Sequence, residues 1–169
     1  MLLHGWALAM QGQVEQGIAQ LQQGIAEWNA LGLVLQRSYH LLLLAEAYTK
    51  AGRLAAALTA VEESLTAART SGERYLEAET HRLHGQLLLA TGQAVDAAEH
   101  DYQQALAVAR QQKAKSLELR AAVSLSRLWQ QQGKREQARQ LLAEIYGWFT
   151  EGFDTTDLTA AKALLVELA

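Results

Sequence analysis

Glu77, His81 and His84 lie at intervals of four and three residues within EAETHRLHG, and all three side chains can ligate a metal. On a helix that spacing puts one carboxylate and two imidazoles on a single face, as a divalent cation would require. His84, however, stands in a column shared with His4, Leu44 and Leu125, which reads as an interhelix packing position, so no metal site is assigned. His40 and His100 have no partner at ligand spacing. Carboxylates pair at Glu62 with Glu63 and at Asp154 with Asp157, each on an expected helix face or cap without an acid-base partner. GxSxG, GxxxxGK[ST] and GxGxxG do not occur. No catalytic residue, cofactor-binding residue or metal ligand is therefore assigned, and no enzyme is expected.

The elements that carry these side chains follow from composition and period. In 169 residues, half of them hydrophobic, there is enough apolar mass for one domain with a core. Proline is absent and Ala, Leu, Gln, Glu and Arg dominate, which predicts helices throughout. A net charge of -3 offers no general field for phosphates, so nucleic acid is not an expected partner. Without cysteine there is no disulfide framework or thiolate metal site, which fits a reducing cytoplasm. MLLHGWALAMQGQ lacks the basic start of a signal peptide, and no apolar run approaches the ~18 residues of a membrane span, so no membrane partner is expected.

Gly12, Gly52, Gly92 and Gly133 recur at intervals of 40, 40 and 41 residues. Seven positions before each is a small residue (Gly5, Ala45, Gly85, Ser126), and four before each a large one (Leu8, Tyr48, Leu88, Trp129). After each come a second small residue (Gly17, Ala57, Ala98, Ala138) and a second large one (Leu21, Val61, Tyr102, Leu142). Small side chains let paired antiparallel helices approach, large ones fill the adjacent gap, and the glycine ends the first helix. The columns predict helices near 2–11, 14–30, 35–51, 54–71, 74–91, 94–112, 115–132 and 135–149. A ninth, near 156–168, is announced by FDTTDL, with Thr155 or Thr156 as cap and Asp157 in the first turn.

The small-xx-large-xxx-Gly-xxxx-Ala pattern resembles the tetratricopeptide repeat, whose usual unit is about 34 residues. It implies a right-handed all-α superhelix: one domain over 1–169, with repeats near 1–31, 35–71, 74–112 and 115–149 and a capping helix near 155–168. The family's closing proline is missing, and Ile145 is bulky where the family's second helix takes a small residue, so the fourth hairpin should splay or close differently. GERYLEAETHRLHGQLLLATG at 72–92 and the stretch from Gln111 to Leu168 also resemble the C-terminal repeat region of bacterial proteins that join adenylate/guanylate cyclase and AAA-type ATPase domains, and of related ATPase-containing transcription activators.

That resemblance implies a non-catalytic interaction or regulatory module in a longer signalling protein, relaying partner binding to upstream nucleotide-handling domains. In tetratricopeptide arrays the first helix of each hairpin lines a concave face. Carried onto this chain, its inward positions are Trp6 and Met10, then Tyr39, Glu46 and Lys50. The later repeats supply Glu79, Arg82 and Gln86, then Arg120, Arg127, Gln130 and Gln131, so the groove should run from apolar to basic and take a protein or peptide. Arg82 and Gln86 replace the Lys and Asn of the family's peptide-terminus clamp, so a chaperone-tail receptor is not expected.

Both ends should be special. Tyr146, Trp148, Phe149 and Phe153 are expected to wedge between the eighth and ninth helices, with Gly147 and Gly152 turning the chain. The first helix looks truncated, leaving Leu2, Leu3, Trp6 and Met10 without an upstream neighbour, as in a fragment of a longer protein or at a homodimerising edge. A small-molecule sensor and a homo-oligomerising scaffold are the alternative functions.

Overall fold

The computed structural model describes residues 1–93 and 95–169. Among these there are nine α-helices and no strand: α1 Leu2–Met10, α2 Val14–Ala30, α3 Arg37–Lys50, α4 Leu54–Ser71, α5 Glu77–Ala90, α6 Val95–Gln111, α7 Lys115–Gln131, α8 Arg135–Tyr146 and α9 Thr156–Leu168. The expected start of α6 at 94 lies outside the described residues. α3 and α5 begin two and three residues later than the periodicity suggests. Gln36, at φ 61, is left-handed and cannot open a helix.

Each hairpin turn is made the same way. Gly12, Gly52, Gly92 and Gly133 have φ of 99, 71, 70 and 77°. The amide of the next residue donates to the carbonyl five back, that of Leu8, Tyr48, Leu88 or Trp129, at 2.8–2.9 Å. This is the Schellman arrangement, which satisfies the last carbonyls of a helix and needs a left-handed residue at its centre. Left-handed residues also follow α2, α4 and α6, at Gly32, Gly72 and Lys113; the five-back bond forms after Gly32 and Lys113, whereas after Gly72 the Glu73 amide donates to the Ser71 hydroxyl. Lys113 adopts φ 56 without the freedom of glycine, while Ala114 still donates to the Ala109 carbonyl at 2.9 Å.

The small columns are the closest interhelix approaches. A Cβ added to Gly17 would lie 2.5 Å from the Gly5 carbonyl oxygen and 2.7 Å from the Ala9 Cβ. One added to Gly85 would meet the Ala98 carbonyl at 3.0 Å and the Tyr102 ring at 2.9 Å. Ala45, Ala57, Ala98 and Ala138 are wholly buried, and the Ser126 hydroxyl donates across the fourth hairpin to the Ala138 carbonyl at 3.1 Å. Around these contacts, successive apolar clusters run along the chain, from Ile18, Leu21 and Leu43 through Val61, Leu83 and Leu87 to Leu119, Leu142 and Leu164. Among the described residues these clusters are successive rather than one central core, because each hairpin covers only its neighbours.

The ends differ from the expectation in detail. Tyr146 and Phe149 pack on the last cluster, but Trp148 and Phe153 are 58 and 48% exposed and do not wedge between α8 and α9. Trp148 instead sits edge-on to Phe149 and carries the Lys115 ammonium 5.6 Å from its ring centre. Leu158, Ala161, Leu164 and Leu168 of α9, with Ile145 of α8, close the cluster that the aromatics were expected to close. Gly152 is left-handed at φ 75, whereas Gly147 keeps helical angles at φ -64 in the turn that ends α8. Thr155 is the N-cap of α9 by position but makes no side-chain capping bond. At the other end Leu2, Trp6 and Met10 pack into the first cluster, and only Met1 and Leu3 are left largely exposed.

Two substitutions test these backbone constraints. Lys113→Gly should raise stability by roughly 0.5 kcal/mol, since relief of ~1–2 kcal/mol of left-handed strain exceeds the extra chain entropy of glycine. Gly17→Ala should lower it by about 1–3 kcal/mol, although alanine is the better helix former, because the new methyl meets backbone. Urea unfolding reads both, and a Gly17→Ala chain as stable as the parent would mean that α1 and α2 do not approach this closely.

Candidate interaction surface

Odd-numbered helices touch both neighbours and the next odd helix (α1 with α3, α3 with α5, α5 with α7, α7 with α9), whereas among the described residues no even helix contacts another even one. The odd helices therefore form the inner layer, and every residue expected in the groove lies on them. Trp6 and Met10 of α1 and Tyr39 of α3 are half-buried against the first cluster, so only their edges reach the groove. The Trp6 indole N–H donates to Glu46 Oε2 at 2.5 Å, joining α1 to α3. Burial pushes the Glu46 carboxyl above its ordinary range, against the pull of the Trp6 bond and of Arg82 and Arg120. Lys50 is exposed at the end of α3.

The expected basic end of the groove is largely paired with itself. Arg82 embraces Glu79 on its own helix, with Nε 3.0 Å from each carboxylate oxygen and a terminal nitrogen 2.7 Å from Oε1. Its other terminal nitrogen donates to Gln86 at 3.1 Å. Burial works against the guanidinium charge, but the Glu79 pair outweighs it and the Arg82 pKa is raised. Arg120 donates to Asp157 Oδ2 at 2.7 Å, so the aspartate, which lies in the first turn of α9 as expected, also ties that helix to α7. Arg127 is exposed and makes no ion pair among the described residues. Gln130 is half-buried and Gln131 exposed beyond it. Arg82, Ser124 and Arg127 are shared by two adjoining clefts of about 270 and 310 Å³, the first floored by Leu119 and Val123 and edged by Asp157.

Glu77, His81 and His84 do not converge. Glu77 pairs with Arg74 at 2.5 Å, and both histidines turn to Asp101 of α6. Among the described residues no three His, Asp or Glu side chains are arranged to hold a metal. His81 Nδ1 reaches Asp101 Oδ1 at 2.8 Å and His84 Nδ1 reaches Oδ2 at 2.7 Å. Because a carboxylate only accepts, both imidazoles carry their hydrogen on Nδ1. Burial would raise the Asp101 pKa, yet the two imidazole bonds outweigh it and bring it to about 2. The bond to Asp101 raises the His84 pKa against its own burial. Its Nε2 is buried without a hydrogen-bond partner, 4.0 Å from Glu62 of α4.

Two further carboxylates join repeats and were not singled out by sequence. Buried Glu118 of α7 accepts from Arg110 at 2.9 Å and Lys115 at 2.7 Å, bonds that outweigh its desolvation and lower its pKa. Glu99 of α6 takes the Trp129 indole at 2.8 Å, Gln132 at 3.0 Å and Lys134 at 3.3 Å. The signal for Glu99 is indirect: a half-buried tryptophan in the large column calls for an acceptor for its indole N–H.

This arrangement of stacked helix hairpins, with an inner layer of first helices and a lined groove, defines a right-handed tetratricopeptide-like solenoid. Solved structures of the nearly identical TPR-like repeats assigned to a kinesin light chain of Podosopora anserina superpose on 99% of the chain and 82% of theirs, with a TM-score of 0.75 at 20% identity. A single-substitution variant of the same repeats gives 0.78 at 18% identity, likewise over 99 and 82%. No family model matches the sequence. An uncharacterized protein of Rhizobium meliloti (strain 1021) is 30% identical over 128 residues, or 76% of this chain. The chain spans 12% of that relative's length.

The His81–Asp101–His84 clasp gives the protein a pH signature. Asp101, with its lowered pKa, contributes stability that is complete above its ordinary 3.8 and is lost as pH falls toward about 2. His84, with its raised pKa, contributes stability that is complete below its ordinary 6.5 and is lost as pH rises through its folded value. Buried His40 has a lowered pKa and the opposite slope, so the clasp is read as a difference. The stability gap between the parent and Asp101→Asn should be widest between about pH 4 and 6.5 and narrow on either side. A pH-independent gap in urea midpoint would show that Asp101 acts through packing alone.

Proposed function

We propose that this chain is a non-catalytic interaction module that binds a protein or peptide in the concave groove of its odd-numbered helices. Residues 1–169 act as one unit, working in the cytoplasm as part of a larger bacterial signalling ATPase, cyclase or transcription regulator. The observation that carries this reading is the state of the groove's charges. Arg82 and Arg120 are fixed by Glu79 and Asp157, so the groove wall is rigid before any partner arrives, while Arg127 beside the cleft is left free to take a carboxylate. In a longer parent, binding there is passed to upstream domains through the stacked hairpins. The residues supporting it run from Trp6 and Glu46 to Arg127 and Gln131 along one layer.

The arginine to test is Arg127. Replacing Arg82 would strand buried Glu79 without its cation at a cost of about 3–5 kcal/mol, so its loss would report folding rather than binding. Affinity capture from a bacterial lysate is expected to retain a protein on the parent chain that Arg127→Glu fails to hold. Equal or empty captures would defeat the reading. A small-molecule sensor is favoured instead if a ligand raises the melting temperature of the parent but not of Arg127→Glu, the adjoining clefts being of the size such ligands occupy.

A further inference from the structure

The α2–α3 turn reads LGLVLQ over residues 31–36, and Leu31, Leu33, Val34 and Leu35 stand exposed at 72, 40, 67 and 61%. An aliphatic run in water adds nothing to a core and invites association. The turn itself does not demand it. Forty residues on, SGERYL over 71–76 makes the equivalent connection around Gly72, left-handed at φ 76 as Gly32 is at φ 68. There Glu73 and Arg74 occupy the places of Leu33 and Val34. A connection of the same length from its left-handed glycine to the next helix, differing at Gln36 (φ 61) against Leu76 (φ -110), thus carries charged side chains at these two places, and the aliphatic ones serve something outside the turn.

Beside them the outer face of α4 forms a cavity of about 570 Å³, walled by Val34, Thr59, Thr66 and Ala67, with Glu62 and Glu63 at its mouth. The arginine in its wall, Arg37, donates to Asn29 at 2.7 Å and lies 3.8 Å from Glu63. Glu62 makes no side-chain hydrogen bond among the described residues, its nearest basic atom being His84 Nε2 at 4.0 Å. Next to the turn, Glu73 accepts the Gln36 amide at 2.7 Å and adds a third carboxylate. The patch therefore combines an apolar shelf, a cavity for aliphatic side chains and an acidic rim.

We propose that this surface docks an amphipathic helix of a partner protein, with aliphatic residues on the buried face and lysine or arginine on its flank. Helix-in-groove recognition needs apolar anchors and opposite rim charge, and both are present. A membrane suits the patch less well, since Glu62 and Glu63 repel anionic headgroups. The docking surface involves α4 of the outer layer, so it stands or falls separately from the concave groove.

The test is fluorescence anisotropy on the full chain with a labelled synthetic Leu–Lys amphipathic helix and its Leu–Glu counterpart. Saturable binding of the Leu–Lys helix is expected, with the Leu–Glu helix about 10-fold weaker or worse. The double variant Leu33→Glu with Val34→Arg copies the second turn and should keep the helical circular dichroism while weakening binding by at least ~10-fold. Glu62→Gln with Glu63→Gln should weaken it several-fold and flatten its salt dependence. The proposal is overturned if the Leu–Lys helix does not bind, if both helices bind alike, or if the turn variant binds as the parent does. It is also overturned if sedimentation shows a parent dimer that the turn variant dissociates, which would make a second copy the occupant. Flotation with phosphatidylcholine vesicles, lost in the turn variant, would do the same in favour of a bilayer.

Discussion

The rest of the structure depends on how closely two helix backbones approach within each hairpin. Where Gly17 meets the Gly5 carbonyl there is no room for a methyl group, and the equivalent contacts at Ala45 with Ala57, Gly85 with Ala98 and Ser126 with Ala138 are all buried. Such contacts fix the separation and crossing of each pair, and the left-handed cap between the two helices fixes where the pair reverses. With four pairs built alike, each apolar face finds cover only on the next pair. Odd helices then stack on odd helices, and a groove along the inner layer follows without any residue being selected for it.

Several charges in this scaffold are paired between helices. Trp6 with Glu46 joins the first two repeats, Glu118 with Arg110 the third and fourth, and Arg120 with Asp157 the fourth and the closing helix. The clasp of His81 and His84 on Asp101 does the same within the third hairpin. A fixed network holds its members in one geometry, so the inner layer built from it has little left to order. Buried carboxylates lacking one partner would be expensive, which is why Arg82 and Glu79 form a single structural unit.

The fold was legible because it is written as columns of size, and size is a property of one residue at a time. The glycine period, the small positions and the large carbonyl-bearing positions each locate a backbone feature that the structure contains. Pairing was not legible in the same way. Asp101 lies 20 residues from His81 and Asp157 lies 37 from Arg120, and nothing in either neighbourhood marks the partner. For the same reason Glu77 looked like a companion of the histidines when its neighbour Arg74 already claimed it. The aromatic run near the C-terminus misled because hydrophobicity alone does not distinguish a wedge from a surface. Tyr146 and Phe149 point to the core, whereas Trp148 and Phe153 between and after them are left outside.

Lys113 shows how far such columns can be relaxed. Its place in the third inter-hairpin turn belongs to a glycine in the two earlier ones, and the Schellman bonds form regardless. The cap is therefore imposed by the hairpins on either side, whose buried contacts exceed the ~1–2 kcal/mol of strain at one residue. By the same logic, what a turn carries on its surface is free to vary once its backbone is set. Leu33 and Val34 in one turn and Glu73 and Arg74 in the next each follow a left-handed glycine and differ in the chemistry they expose. In a repeat protein the backbone period constrains architecture, and the departures from it in side-chain chemistry are where the repeats acquire separate roles.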